Sequence, residues 1–146
     1  LLTNLGTGNG TATGQGITGS LQFKSGSEGA ISGSSDLVFD YTVPKFTVNS
    51  GLVVNRTSVS SDVILTPAQY VIGVDTQAAT ASLILSLPDA STLSDGQIYI
   101  IKDEGGMADT NTITISCSVN GQTLDNYSQI VLESPYSAIN IYTRIF

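Results

Sequence analysis

Residues 19–54 read GSLQFKSGSEGAISGSSDLVFDYTVPKFTVNSGLVV, and the alternation in this stretch decides what the chain is built from. Leu37, Phe39, Tyr41 and Val43 fall on one face of an extended segment, Phe46 and Val48 on one face of the next, and Leu52 and Val54 on one face of a third. Gly/Ser spacers separate these short stripes, so none has the apolar surface to close a core by itself. A hairpin pair is marginal in water unless a third strand or another surface covers its apolar side. The obvious cover is the same segment from neighbouring chains. The stretch therefore reads as a piece of a shaft or neck, spanning residues 19–60.

Beyond a Ser-rich junction at residues 57–62 the alternation becomes dense. Strand candidates run over 70–74, 81–87, 97–102, 112–119, 129–132 and 138–145, with breakers between them at Asp75-Thr76, Pro88-Asp89, Ser94-Asp95-Gly96, Gly105-Gly106, Asn120-Gly121 and Ser134-Pro135. Short strands at this spacing predict a compact antiparallel sandwich or barrel over residues 61–146. The longest helical candidate, Pro67-Ala68-Gln69-Tyr70, is too short to propagate. Asn120-Gly121 is read as a type I′ turn, because both central residues of that turn need positive φ. In the last strand Ile139, Ile141, Thr143 and Ile145 share a face. This pattern predicts a C-terminal strand pinned in the sheet, near the natural end of the polypeptide.

Composition narrows the function classes. The chain of 146 residues is 40% hydrophobic but only 12% charged, about half the usual charged share, and carries 15 glycines. Five Lys/Arg against 12 Asp/Glu give a net charge of −7, which argues against nucleic acid and against an anionic membrane surface. No apolar run approaches the roughly 18 residues of a membrane span, so membrane insertion is not expected. Residues 1–18 are read as a flexible Gly/Thr-rich lead-in, cut from a longer protein. Its glycines keep no three-residue period, which excludes collagen for this segment.

With no histidine, the commonest general base, the serine triad and most zinc sites are lost together. No catalytic residue, metal ligand set or cofactor is assigned, and the chain is not expected to be an enzyme. The loop from Asp103 to Asp109 could hold a calcium ion through carboxylates and carbonyls, but its spacing is not that of an EF-hand. It is read instead as a polar hairpin loop. Cys117 shares parity with Ile113, Ile115 and Val119 and is expected to behave as a small buried hydrophobe. Of the six tyrosines, Tyr99 and Tyr142 lie opposite in parity to neighbouring isoleucines, so each could turn a ring away from the core. Tyr127 and Tyr136, beside polar turns, are the candidate ligand contacts.

The run at 19–54 resembles a module of bacteriophage and large-virus tail and head fibre proteins. That module has a small-residue start, an IQF-like triplet (here Leu21-Gln22-Phe23), a Gly/Ser patch, a box like SGSSDLVFD and a strand pair ending near TVNSG. The segments YVIGVDT, SLILSLPDAS, GQIYIIKDEGGMADTNTITIS and the later GQTLD are similar to the distal domains of such fibres, so the resemblance covers roughly residues 17–146. It implies a parallel homotrimer with a β-rich head that recognises a host surface. The fold class expected is all-β: a short trimeric β shaft or neck, then a compact antiparallel, jelly-roll-like β-sandwich head. Leu37, Phe39, Phe46, Val48, Leu52 and Val54 are expected at the trimer core. The chain is expected on the virion surface, bound to a host glycan or protein and joined to other virion proteins through the region before residue 1. The alternative is a monomeric carbohydrate-binding or adhesin module of a cellular surface protein.

Overall fold

A computed structural model describes residues 20–25, 30–40 and 42–144, with the backbone alone described for 20–25 and 30–34. The lead-in expected over 1–18, Tyr41 and Ile145 lie outside the described residues. The chain divides into two compact units, Leu1–Val53 and Val54–Phe146. Its described structure is almost entirely β.

In the first unit, β1 (Ser20–Ser25), β2 (Ala30–Asp40) and β3 (Lys45–Val48) form one antiparallel sheet in the order β1-β2-β3. Leu37 stands opposite Val48 and Phe39 opposite Phe46, so these four side chains share one face, as period-2 geometry requires. Val38, Thr47, Asp40 and Lys45 take the other face. The β2–β3 turn is held by Asp40, whose Oδ1 accepts from the Thr42 N–H at 2.9 Å and the Thr42 hydroxyl at 2.7 Å. These bonds hold the Asp40 carboxyl below its ordinary pKa. At the other end of the ladder, the Asn49 N–H donates to the Asp36 carbonyl at 2.7 Å. The third stripe departs from expectation: Leu52 and Val54 belong to no strand, and Leu52 is 70% exposed.

The second unit contains β4 (Arg56–Val59), β5 (Val63–Ile64), β6 (Val71–Val74), β7 (Leu83–Leu87), β8 (Ile98–Asp103), β9 (Ile113–Cys117), β10 (Gln129–Leu132) and β11 (Ala138–Tyr142). They form two four-stranded sheets, β11-β8-β6-β4 and β10-β9-β7-β5. Up to β9, successive strands alternate between the sheets, so the chain winds as a flattened coil and each strand lies parallel to the one two places earlier. The winding then reverses. β10 turns back antiparallel on β9, and β11 lies antiparallel on β8.

This corrects the expected antiparallel, jelly-roll-like sandwich: among the described strand pairs of this unit, antiparallel pairing holds at β9–β10 and β8–β11 alone. The breakers at Asp75-Thr76, Pro88-Asp89 and Gly105-Gly106 do not close hairpins. They carry the chain from one sheet to the other, so the nearest neighbour in sequence is not the hydrogen-bonded neighbour. The Ser-rich stretch 57–62, read as a junction, supplies most of β4, and its Val59 packs on the core.

Inward positions of the two sheets meet in one core: Ile72, Val74, Tyr99 and Ile101 from one, Leu83, Leu85, Leu87, Ile113 and Ile115 from the other. Leu65, Ala79, Ala108 and Leu124 close it from the connections. Half-buried Cys117 packs against this core, and burial raises its thiol pKa. Among the described residues the sole helical element is the 3₁₀ turn Ala90–Thr92, capped by Asp89 accepting from the Ser91 N–H at 2.9 Å.

The type I′ turn is also displaced from its expected place. Gly121 has φ +91° but Asn120 is not left-handed, whereas Asp125 (φ 49°) and Asn126 (φ 71°) are both left-handed. Leu124 and Tyr127 flank them and exchange two backbone hydrogen bonds of 2.8 Å each. Asp and Asn tolerate this conformation better than other side-chain-bearing residues, which suits them to the turn.

Candidate functional site

The winding gathers the connections at the two ends of the second unit. Because β6 and β8 run parallel and β11 runs against them, the segments after β6 and β8 and the segment before β11 meet at one end. Asp103 is their common anchor. As the last residue of β8 it shares the inward parity of Tyr99 and Ile101 and is fully buried.

Its Oδ1 accepts from the Thr76 hydroxyl at 2.6 Å and the Gly106 N–H at 2.9 Å, and its Oδ2 from the Ala108 N–H at 3.2 Å and the Tyr136 N–H at 3.0 Å. Burial pushes the Asp103 carboxyl up, but bonds from Thr76, Tyr136, Gly106 and Ala108 outweigh it and hold the group below its ordinary pKa. Thr76 extends the network by accepting from the Met107 N–H at 2.9 Å. Asn111 donates to the carbonyls of Thr76 and Ala79 at 3.0 and 3.1 Å.

The expected role of the Asp103–Asp109 loop is thereby revised. It connects strands of different sheets, so it is not a hairpin loop, and the Asp103 carboxylate is committed to four protein donors. Among the described residues no group of three or more Cys, Asp or Glu is placed to hold a metal ion. Neighbouring Glu104 points elsewhere and pairs with Arg56 across the outer face. The hydrogen bond from Arg56 lowers the Glu104 pKa, and the same contact raises that of Arg56. The Glu104 carboxylate lies over Gly73, where any Cβ would overlap it.

What this network presents outward is Tyr136. Its backbone is left-handed, with φ 59°, a conformation that costs a bulky residue energy and persists where surrounding contacts over-determine it. Those contacts come from both sides: the N–H goes to buried Asp103, and the carbonyl accepts from the Lys102 ammonium at 2.7 Å. The same ammonium lies 5.8 Å from the Tyr136 ring centroid. The ring rests on Gly106, itself at φ +70°, so closely that a side chain there would overlap it. Yet the residue remains 64% exposed. The result is an aromatic ring placed at the surface beside a cation by bonds to its backbone on both sides.

The other candidate, Tyr127, is 67% exposed but belongs to the Leu124–Tyr127 turn at the opposite end, so the two are not brought together. Tyr99 does not show its ring to solvent. It is a core residue whose hydroxyl donates to the Thr66 carbonyl at 3.2 Å, and Ile98 and Ile100 take the outward face instead. Tyr142 does face outward and is 69% exposed. Sequence reasoning missed Thr76 and Asn111 as organisers of the loop end. The signal within reach was the parity of Asp103, which places a carboxylate in line with Tyr99 and Ile101. No protein-family model matches this chain, and no curated protein sequence matches it.

Proposed function

We propose that the chain is the distal part of a homotrimeric viral fibre: the first unit assembles three copies, and the second presents recognition surfaces to a host component, a glycan or a protein. The observation that carries this reading is the apolar ladder of the first unit. Leu37, Val48, Phe39 and Phe46 form two cross-strand pairs on one face of a single sheet, with Phe39 43% and Phe46 53% exposed. Apolar side chains aligned like this are what a self-complementary interface requires. The structural chemistry of the second unit agrees with display. Its core is closed without help, so its loop ends are free to vary and to bind, and Tyr136 is held at one of them. Three heads on one stalk convert weak single-site contacts into stable attachment through effective concentration.

The test is the solution mass of the chain. Light scattering of the purified protein is expected to give a trimer, and Phe39→Asp, which puts a charge in the ladder, is expected to give a monomer with the second unit still folded. A wild-type monomer would reject the fibre reading in favour of a monomeric carbohydrate-binding or adhesin module, which the self-sufficient core of the second unit also permits.

A further inference from the structure

We propose that Asn120 is a site of spontaneous deamidation, converted in the folded chain to aspartate and isoaspartate, and this proposal is independent of the fibre reading. In this reaction the backbone nitrogen of the residue after an asparagine attacks the side-chain carbonyl carbon. The new C–N bond closes a succinimide, the amide nitrogen leaves as ammonia with the proton of the attacking N–H, and water then opens the ring at either carbonyl. Water is the sole co-reactant. The protein must supply an unhindered following residue, an N–H that nothing else holds, and a carboxamide free to turn toward it.

The first turn after β9 meets all three conditions. Asn120 and Gly121 are both exposed, and one long bond closes the turn, from the Gln122 N–H to the Val119 carbonyl at 3.3 Å. Gly121 has no side chain to shield its nitrogen, and no atom beyond its chain neighbours lies within 4 Å of where a Cβ would stand. Among the described residues, neither the Gly121 N–H nor the Asn120 carboxamide has a hydrogen-bond partner.

Each other described asparagine fails at least one condition. Asn126 gives the sharpest contrast: the N–H that follows it, that of Tyr127, donates to the Leu124 carbonyl at 2.8 Å and carries a bulky side chain beside it. The Asn111 carboxamide is committed to the carbonyls of Thr76 and Ala79, that of Asn49 to the Ser35 carbonyl at 3.2 Å, and that of Asn55 to the Ala68 carbonyl at 3.1 Å. Asn140 precedes β-branched Ile141 within β11, where Ile141 pairs with Tyr99.

The consequence falls on Gln122. Its side chain accepts from the Ala90 N–H at 3.2 Å and donates to Asp89 at 2.8 Å, so it ties this turn to the 3₁₀ segment. Isoaspartate reroutes the main chain through the Cβ of residue 120 and sets a new negative charge close to that tie. Conversion therefore loosens it, and it adds a charge to a chain already at −7.

The test ages the full chain at mildly alkaline pH, in native buffer and in guanidinium chloride. Tryptic mapping by tandem mass spectrometry follows, with isoaspartate counted by isoaspartyl methyltransferase. Asn111, Asn120, Asn126 and Asn140 fall in the peptide 103–144, apart from Asn9-Gly10. In native buffer Asn120 is expected to convert at least about tenfold faster than Asn126, because glycine offers no side chain. Its rate is expected to be close to that in denaturant, whereas Asn111 and Asn126 are expected to react faster once unfolded. Asn120→Gln, which requires a larger ring and alters an exposed side chain, is expected to fold and to remove the modification from this peptide. An Asn120 that stays intact in native buffer but converts in denaturant would overturn the proposal. So would an Asn126 that keeps pace with Asn120 in the folded chain.

Discussion

At the scale of single residues, Asp103 decides how the loop end of the second unit is held. A buried carboxylate is tolerated when its lone pairs are filled, and here four donors from three connections fill them. Asp103→Asn keeps the shape but sets an NH₂ group against N–H donors. We expect it to destabilise the second unit by about 2 kcal/mol, the cost of leaving buried donors unsatisfied, read as a lowered unfolding midpoint in thermal melts. The pH dependence has a definite sign. Because the folded Asp103 pKa lies below the unfolded value of about 3.9, the carboxylate contributes stability that is present above that value and lost as pH falls through the folded pKa. Melting temperature is therefore expected to hold between about pH 8 and pH 5 and to fall below about pH 4, less steeply in Asp103→Asn. A variant as acid-sensitive as the wild type would assign the effect to other carboxylates. Asp103 was visible in the sequence as an acidic loop residue, but its role was not, because its donors come from residues 76, 106, 108 and 136, which only folding brings together.

At the scale of elements, the strands were largely legible and their partners were not. Each strand candidate from 70 to 145 overlaps an observed strand, with β8 running one residue past its candidate to Asp103, since alternation marks any sheet with one buried face. The same alternation serves parallel and antiparallel pairs equally, so it could not show that β6 pairs β8 rather than β7. β4 was hidden by its Ser/Thr content: in Arg56-Thr57-Ser58-Val59 the inward positions are Thr57 and Val59, only one of them strongly apolar. Turn chemistry misled in a similar way, because Asn120-Gly121 carries the stronger local signal while the left-handed pair is Asp125-Asn126. This makes a test at the element scale. Asn126→Gly is expected to leave stability within about 0.5 kcal/mol of wild type, whereas Asn126→Val, β-branched in a left-handed position, is expected to cost about 1–2 kcal/mol in denaturant unfolding. Equal losses in both would mean that the turn is not held in the left-handed form.

At the scale of the whole molecule, the two units contrast in what they need. The second unit has a core filled from both its sheets, whereas the described residues of the first form a single sheet with a half-exposed apolar ladder. If copies of the chain supply the missing cover, unfolding of the first unit must depend on protein concentration, because association stabilises by mass action. Scanning calorimetry is expected to show one transition that rises with concentration and another that does not. Two concentration-independent transitions would count against assembly through the first unit. What the sequence by itself determined was the all-β class, the alternating apolar faces and the lack of histidine chemistry, because composition and a two-residue period are local properties of the chain. What only the tertiary structure decided was the parallel winding, the burial of Asp103 under four donors and the left-handed turn at Asp125-Asn126. Each depends on which distant segments become neighbours, and the gaps between strands do not record whether the chain turns back beside itself or crosses to the facing sheet.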